Sequence, residues 1–312
     1  MQNTLQFSPV SPASFGLRAI QSLTRRLPLE KGLYRITNHA LVQNLLPTDR
    51  TQCICIARLE TGISIEVDLR DYNGRMLYLF GTIDPKIVRI CRALLQPGDT
   101  FLDIGANHGS VGLLCREAVG DEGSVHLFEP QPDLCERIKG AMEGCDSHRV
   151  QLHPIGLMDR DDTIEMCLSR EHSGKASFIL NEEDAEAKVL LQVKNLATYL
   201  PPLIGERPFG AKIDVEGAEP HLLPWLMQQD QLRFLVFENK YLQERSQLFE
   251  ALTRHGFVLF GIGDEWLQTY LHRARDTQCA YHDVVAVRTS TPPGDRLSVD
   301  TLQEWVMNRD RR

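Results

Sequence analysis

Nowhere in the 312 residues does an uninterrupted apolar run approach the ~20 positions that a membrane-spanning helix needs, so no helical span is expected. Paired C-x-x-C knuckles are also missing, although there are eight cysteines. Cys53-Ile-Cys55 is the closest pair, and alternate places in an apolar run read as strand positions. A structural zinc site is thereby disfavoured. Reduced, mostly buried thiols predict a cytoplasmic location, and Met1 to Pro12 has neither the basic start nor the apolar core of a secretory signal. Basic residues are in the minority, 34 against 42 acidic, for a net charge of −8. An acidic chain repels nucleic acid at long range, which argues against a general DNA or RNA binder. Internal repeats and low-complexity tracts are absent as well.

What is present is the composition of a soluble globular protein, 42% hydrophobic and 24% charged. Residues 1–83 read as a smaller N-terminal lobe. Phe15 to Leu27 carries Phe15, Leu17, Ile20, Leu23 and Leu27 at helical spacing, with Arg18, Arg25 and Arg26 around it. Cys53 to Leu59 and Gly62 to Leu69 alternate like hairpin strands, and Asp71-Tyr-Asn-Gly74 reads as a turn. From residue 84 to 290 strands and helices alternate. Strands are expected at Thr100 to Ile104, Ser124 to Phe128, Val150 to Leu157, Asp162 to Leu168, Ala211 to Val215 and Leu232 to Phe237. Helices are expected at Pro85 to Leu95, Gly109 to Val119, Asp133 to Met142, Ala218 to Met227 and Leu242 to Arg254. Phe257 to Phe260 and Val284 to Val287 close the series as an antiparallel pair. Repeated βα units with short apolar strands imply a doubly wound, Rossmann-like α/β sheet, mostly parallel with an antiparallel last strand. Residues 291–312 form a separate amphipathic segment with Leu302, Trp305 and Val306 on one side. The two end segments offer apolar faces for packing back or for homo-oligomer contacts.

In such a sheet, ligands bind beyond the carboxyl ends of the strands, where the strand order reverses. Asp103-Ile-Gly105-Ala106-Asn107-His108-Gly109 is a strand end followed by a tight turn into a helix. Gly105 would admit a ligand close to the backbone. Asn107 stands where many such loops have a second glycine, and asparagine tolerates a left-handed backbone best among the other residues. Asp103, beside the helix start, is placed to hold the cationic end of an amino-acid-like ligand. Glu129 ends the next strand about 20 positions on, where a carboxylate accepts hydrogen bonds from both ribose hydroxyls of an adenosine. Pro130 and Pro132 end that strand and begin a helix. The dinucleotide fingerprint G-x-G-x-x-G would need glycine where Asn107 and Ser110 stand, and no G-K-[ST] follows.

A second acidic cluster lies at Ala211-Lys-Ile-Asp214-Val-Glu216-Gly-Ala-Glu219, and Leu232 to Glu238-Asn239 brings a further Glu-Asn to the end of the following strand. Asp103 to Gly109, Phe128-Glu-Pro-Gln-Pro132 and Lys212 to Glu219, in that order, resemble the FkbM-type S-adenosylmethionine-dependent methyltransferases. Asn195 to Leu200 and Leu248 to Phe257, ending in His-Gly-Phe, fit the same pattern. The resemblance spans Asp84 to Val287. It implies a class I methyltransferase fold, S-adenosylmethionine as cofactor, and O-methylation of a hydroxyl on a sugar or natural-product-like small molecule. Pro220 and Pro224-Trp225, and the long stretch from Gly263 to Tyr281, depart from it.

Methyl transfer from a sulfonium needs an aligned acceptor and an outlet for its proton. Asp214, Glu216 and Glu238 are the catalytic candidates. Asp103, Gly105, Ala106, Asn107, Gly109, Glu129, Pro130 and Asp214 are the candidates for cofactor binding. A Mg²⁺ variant would use Asp214, Glu238 and Asn239 as hard oxygen ligands. His108, His172 and His221 are weaker candidates for a base, and Trp225 and Trp266 for a stacking floor. Two other functions stay open on the residues alone: an NAD-linked oxidoreductase on a similar sheet, and a non-catalytic binding domain of the same fold.

Overall fold

The computed structural model of the protein describes residues 13–26, 32–144, 148–168, 187–239, 245–265, 268–273, 281–289 and 303–304. The expectations for His172, Trp266, residues 242–244 and most of residues 291–312 lie outside these.

The chain opens with α1 (Phe15–Thr24), α2 (Leu33–Thr37) and α3 (Ala40–Asn44). The Ser14 hydroxyl starts α1 by accepting from the Leu17 amide, and Leu17 and Thr24 are buried. The hairpin β1 (Ile54–Arg58) and β2 (Ser64–Asp68) buries Cys55, Ala57, Ile65 and Val67 on one face, as its alternation requires. The Asp71 to Gly74 turn expected from the sequence is instead the first turn of α4 (Tyr72–Phe80). Asp71 serves as its N-cap, its carboxylate accepting from the Gly74 amide at 2.9 Å. An Asp three residues before a Gly satisfies either a turn or a cap, and packing of Met76, Leu77 and Leu79 selects the helix.

The main body follows: α5 (Pro85–Leu94), β3 (Thr100–Ile104), α6 (Ser110–Cys115), β4 (Ser124–Phe128), α7 (Pro132–Glu143) and β5 (Val150–His153). Next come β6 (Gly156–Met158), β7 (Asp162–Leu168), β8 (Ala187–Asn195), α8 (Leu196–Tyr199) and α9 (Pro201–Ile204). The chain continues through β9 (Phe209–Ile213), α10 (Glu219–Leu226), β10 (Leu232–Glu238) and α11 (Arg245–Arg254), and ends in β11 (Phe257–Glu265), β12 (Gln268–Arg273) and β13 (Asp283–Arg288).

The eight-stranded sheet has the order β12-β11-β13-β10-β9-β3-β4-β5. From β10 to β5 every pairing is parallel, and β13 is antiparallel to both of its neighbours. This is the expected doubly wound sheet with an antiparallel last strand. The order reverses between β3 and β9, so their carboxyl ends open the crevice where such sheets bind ligands. Every residue of β3 and β9 is buried, as strands covered on both faces must be. One face carries Phe101, Val125, Leu127 and Phe234 and packs on α5, α6 and α7; the same apolar cluster runs on into Leu17, Ile65 and Leu77. The N-terminal elements therefore share a core with the sheet. The other face carries Leu102, Ile104, Ala211 and Phe237 under α8, α10 and α11.

Strand β11 runs past its expected end at Phe260 to Glu265, β12 lies where no strand was expected, and the small sheet differs further. The third parallel strand was expected to run to Leu157, but β5 stops at His153 and β6 pairs with β8 in a separate three-stranded sheet, β6-β8-β7. Pro154 has no amide to offer the ladder, and there the chain leaves the main sheet. Strand β8 was not anticipated, because Val-Leu-Leu-Gln-Val hides its alternation: Leu191 and Val193 are buried while Leu190 is 70% exposed.

Candidate active site

Three left-handed residues shape the loop after β3: Gly105 (φ 75°), Asn107 (φ 53°) and Gly109 (φ 70°). The amides of Gly105 and Ala106 both donate to the Phe128 carbonyl, at 3.0 and 2.9 Å, which folds the loop over the end of β4. Asn107 thus takes the conformation its residue type suggested. Gly105 borders the first of two clefts and is needed for a second reason as well. A Cβ there would stand 1.9 Å from the Asp214 carbonyl oxygen, so the close approach is between two strand ends. Gly109 is the N-cap of α6 and packs on Leu127 and Ile138 rather than bordering a cavity.

Asp103 has its partners inside the protein. It is fully buried, accepts from the Gly112 amide at 2.8 Å and lies 3.2 Å from the Lys212 ammonium. Lys212 also donates to the Gly105 carbonyl at 2.6 Å and lies 3.8 Å from Asp214. Burial opposes the charge of Lys212, but Asp103 and Asp214 outweigh it and hold the ammonium above its ordinary pKa. A strand-end aspartate beside a helix start is equally suited to binding that helix's own amides, which is the role it has here.

Glu129 is where a ribose-binding carboxylate was expected. It is 3% exposed, and its two oxygens accept from the Asn107 and Gln131 amides at 2.8 and 2.9 Å. Each carboxylate oxygen has a second acceptor direction, so these bonds aim the group without exhausting it. Burial raises its pKa to about 7, against the pull of those two amides.

A cleft of about 910 Å³, its open mouth included, lies over this loop. Ala106, Asn107, Glu129 and Pro130 border it, with Leu157, Met166 and Val193 of the small sheet as an apolar wall. A second cleft of about 880 Å³ opens between the ends of β9, β10 and β13 and is lined by Asp214, Glu216, Glu238 and Asp283. The clefts share Asn73, Ile83, Asp84, Lys212, Asp214 and Glu216. The last three belong to the motif at the carboxyl end of β9. Asn73, Ile83 and Asp84, with Tyr72 of the second cleft, come from the chain before the sheet and were not foreseen as site residues. A hydrogen bond from the Asn73 side-chain amide to Asn107 Oδ1, across 34 residues, ties that region to the loop, and no local pattern encodes it.

The motif after β9 is held from inside. Glu219, fully buried, accepts from the Val215 and Gly217 amides at 3.0 and 2.9 Å. That clamp fixes a turn in which Glu216 has a positive φ of 50°, a strained backbone for a side chain other than glycine. Asp214, Glu216 and Glu238 each bring a carboxylate oxygen within 4.8 Å of the others. Asn239, which follows Glu238, is buried, and its side-chain amide donates to the Tyr281 carbonyl at 3.2 Å. His108 is fully buried behind the loop, 2.6 Å from Asn107 Oδ1, and burial lowers its pKa to about 4 despite nearby Asp71. His221 lies at the surface, 2.8 Å from Asp159, and Trp225 packs on the core. None of these three borders either cleft.

No family model and no curated protein matches this sequence. Among solved structures, the chain is similar to a precorrin-6y C5,15-methyltransferase of Geobacter metallireducens, with 12% identity and a TM-score of 0.37 over 67% of this chain and 92% of that one. It is similar to the O-methyltransferase TomG of Streptomyces achromogenes, solved with SAM, at 14% identity and a TM-score of 0.36 over 66% and 79%. A third is TYW2 of M. jannaschii, solved with AdoMet, at 10% identity and a TM-score of 0.37 over 75% and 85%. The chemistry of the site rests on its own residues.

Proposed function

We propose that the chain is an S-adenosylmethionine-dependent methyltransferase of FkbM type, with the cofactor in the first cleft and the methyl acceptor in the second. The observation that carries this reading is the shared wall. One cleft has a buried carboxylate aimed by two amides, fit for a ribose, and it meets a second, acid-lined cleft at Asp214 and Lys212. When bound, S-adenosylmethionine supplies an electrophilic methyl group. The chain has to bring an acceptor in line with it, exclude water and take up a proton. Asp214 and Glu216, on the shared wall, and Glu238, in the second cleft, are the carboxylates that would orient an acceptor hydroxyl and accept its proton.

The acceptor is a small molecule with a hydroxyl group, such as a sugar or natural-product alcohol. Carboxylate acceptors suit polyols, whereas a phosphorylated or carboxylated acceptor would be repelled by the second cleft. A Mg²⁺-assisted variant is supported by the mutual approach of Asp214, Glu216 and Glu238, which includes two of the three ligands named from sequence. Dialysis against EDTA separates the two, since unchanged turnover would remove the metal.

Calorimetric titration with S-adenosylmethionine, S-adenosylhomocysteine and NAD tests the central reading. Binding of the first two and not of NAD is expected. Binding of NAD alone would assign the site to a dehydrogenase, and binding of none to a non-catalytic domain. A methyl-transfer screen on glycosides and polyketide alcohols then tests O-methylation.

A further inference from the structure

Asp84 precedes α5 and occupies its N-cap position, yet its side chain makes no capping hydrogen bond. Among the described residues no donor is paired with its partly buried carboxyl group, which borders both clefts. The charged groups around it come from three directions. Lys86 of α5 is paired with Asp283 of β13, Lys212 of β9 with Asp103, and Asp214 follows β9. Tyr72, Glu216, Glu238 and His282 line the same second cleft. Both nearby cations are thus held by other carboxylates. Burial, then the charges of Asp283 and Asp214, against Lys86 and Lys212, lift the Asp84 carboxyl to about 6. An acid so placed is short of a cation.

The first cleft is lined both by Glu129 and by the residues of the wall it shares with the second. A methyl donor lying along it has to bring its transferable methyl to that wall, and the methyl is carried on a cationic sulfur. We propose that Asp84 holds the sulfonium charge of the methyl donor at the wall between the clefts, as a cofactor-binding residue supplied by the chain before the sheet. This rests on reading the first cleft as an S-adenosylmethionine site. After transfer the sulfur is a neutral thioether, so the attraction disappears together with the charge, and product release is favoured by the same residue.

The test compares three probes by calorimetry: S-adenosylmethionine, neutral S-adenosylhomocysteine, and sinefungin, whose amine places a cation where the methylsulfonium stands. Asp84→Asn is expected to weaken S-adenosylmethionine and sinefungin about tenfold and S-adenosylhomocysteine less than about twofold. Asp84→Glu keeps the charge and should restore the preference for the cationic probes. Equal losses for all three, or no loss for any, would overturn the proposal. If Asp84→Asn does not fold, Asp84→Ser, whose residue type favours the N-cap position, is read by the same criteria. If the unaltered protein binds none of the three, the methyltransferase reading fails before Asp84 is in question.

Discussion

The ammonium of Lys212 lies 3.2 Å from the carboxylate of Asp103, which ties the ends of the two central strands, β3 and β9, beneath the shared wall of the clefts. A buried pair of this kind does little for stability as a whole, but losing one partner strands the other charge. Lys212→Met should therefore cost about 3–5 kcal/mol in urea unfolding. Asp103→Asn in the same chain should recover part of that loss, because the stranded carboxylate is then gone. Additive losses in the double variant would contradict the pairing.

Gly105→Ala should be among the most damaging small substitutions. The added methyl group meets the Asp214 carbonyl at 1.9 Å, and the backbone has a positive φ. A loss of about 3 kcal/mol or more is expected, with S-adenosylhomocysteine binding abolished. Gly62→Ala is the control. Gly62 also has a positive φ, of 85°, but a Cβ there meets nothing within 4 Å, so only the conformational cost of about 1 kcal/mol applies.

Glu129 predicts opposite pH trends for stability and binding. Its pKa rises from an ordinary 4.5 to about 7 on folding, so the folded protein favours the protonated form. The stability this confers is full below about pH 4.5 and is lost as pH rises through 7. Glu129→Gln should flatten that part of the melting profile of the ligand-free protein. For binding, the ionised carboxylate is the better acceptor, so affinity for S-adenosylhomocysteine should rise between roughly pH 6 and 8. The Gln variant should bind about tenfold more weakly with no such rise. A pH-independent affinity in the unaltered protein would contradict the ribose assignment.

His126 and His153 form a buried pair, Nδ1 to Nε2 at 3.0 Å, continued by the Tyr199 hydroxyl 3.1 Å from His153 Nδ1. Burial, and for His126 also the neighbouring ring, lowers both pKa values, that of His126 to about 4. The unfolded chain takes up these protons more readily, so the stability involved is present above pH 6.5 and is lost as pH falls toward 4. In an NMR titration the His126 ring should stay neutral from pH 7 down to about pH 5. Titration of His126 near 6.5 would contradict the packing.

Much of the fold was legible because the strands are short apolar runs between helices, a pattern that admits few topologies. Asn107 and Glu129 were legible for local reasons: a left-handed turn favours asparagine, and a strand end fixes where its last side chain points. A strand-end carboxylate beside a helix start has two uses, and the approach of Lys212, far along the chain, gives Asp103 an internal partner that no local pattern shows. The bond from the Asn239 side-chain amide to the carbonyl of Tyr281, 42 residues on, was hidden from the sequence in the same way.

The sequence by itself determined the βα series, the loop over β4 and the carboxylate at its rim, because each depends on residues close together in the chain. Tertiary structure alone decided that residues from the N-terminal region wall the site, that two clefts meet at Asp84 and Asp214, and that Gly105 yields to a neighbouring strand. Those outcomes depend on which chain segments pack together after the sheet is wound, and no periodicity or spacing records that choice.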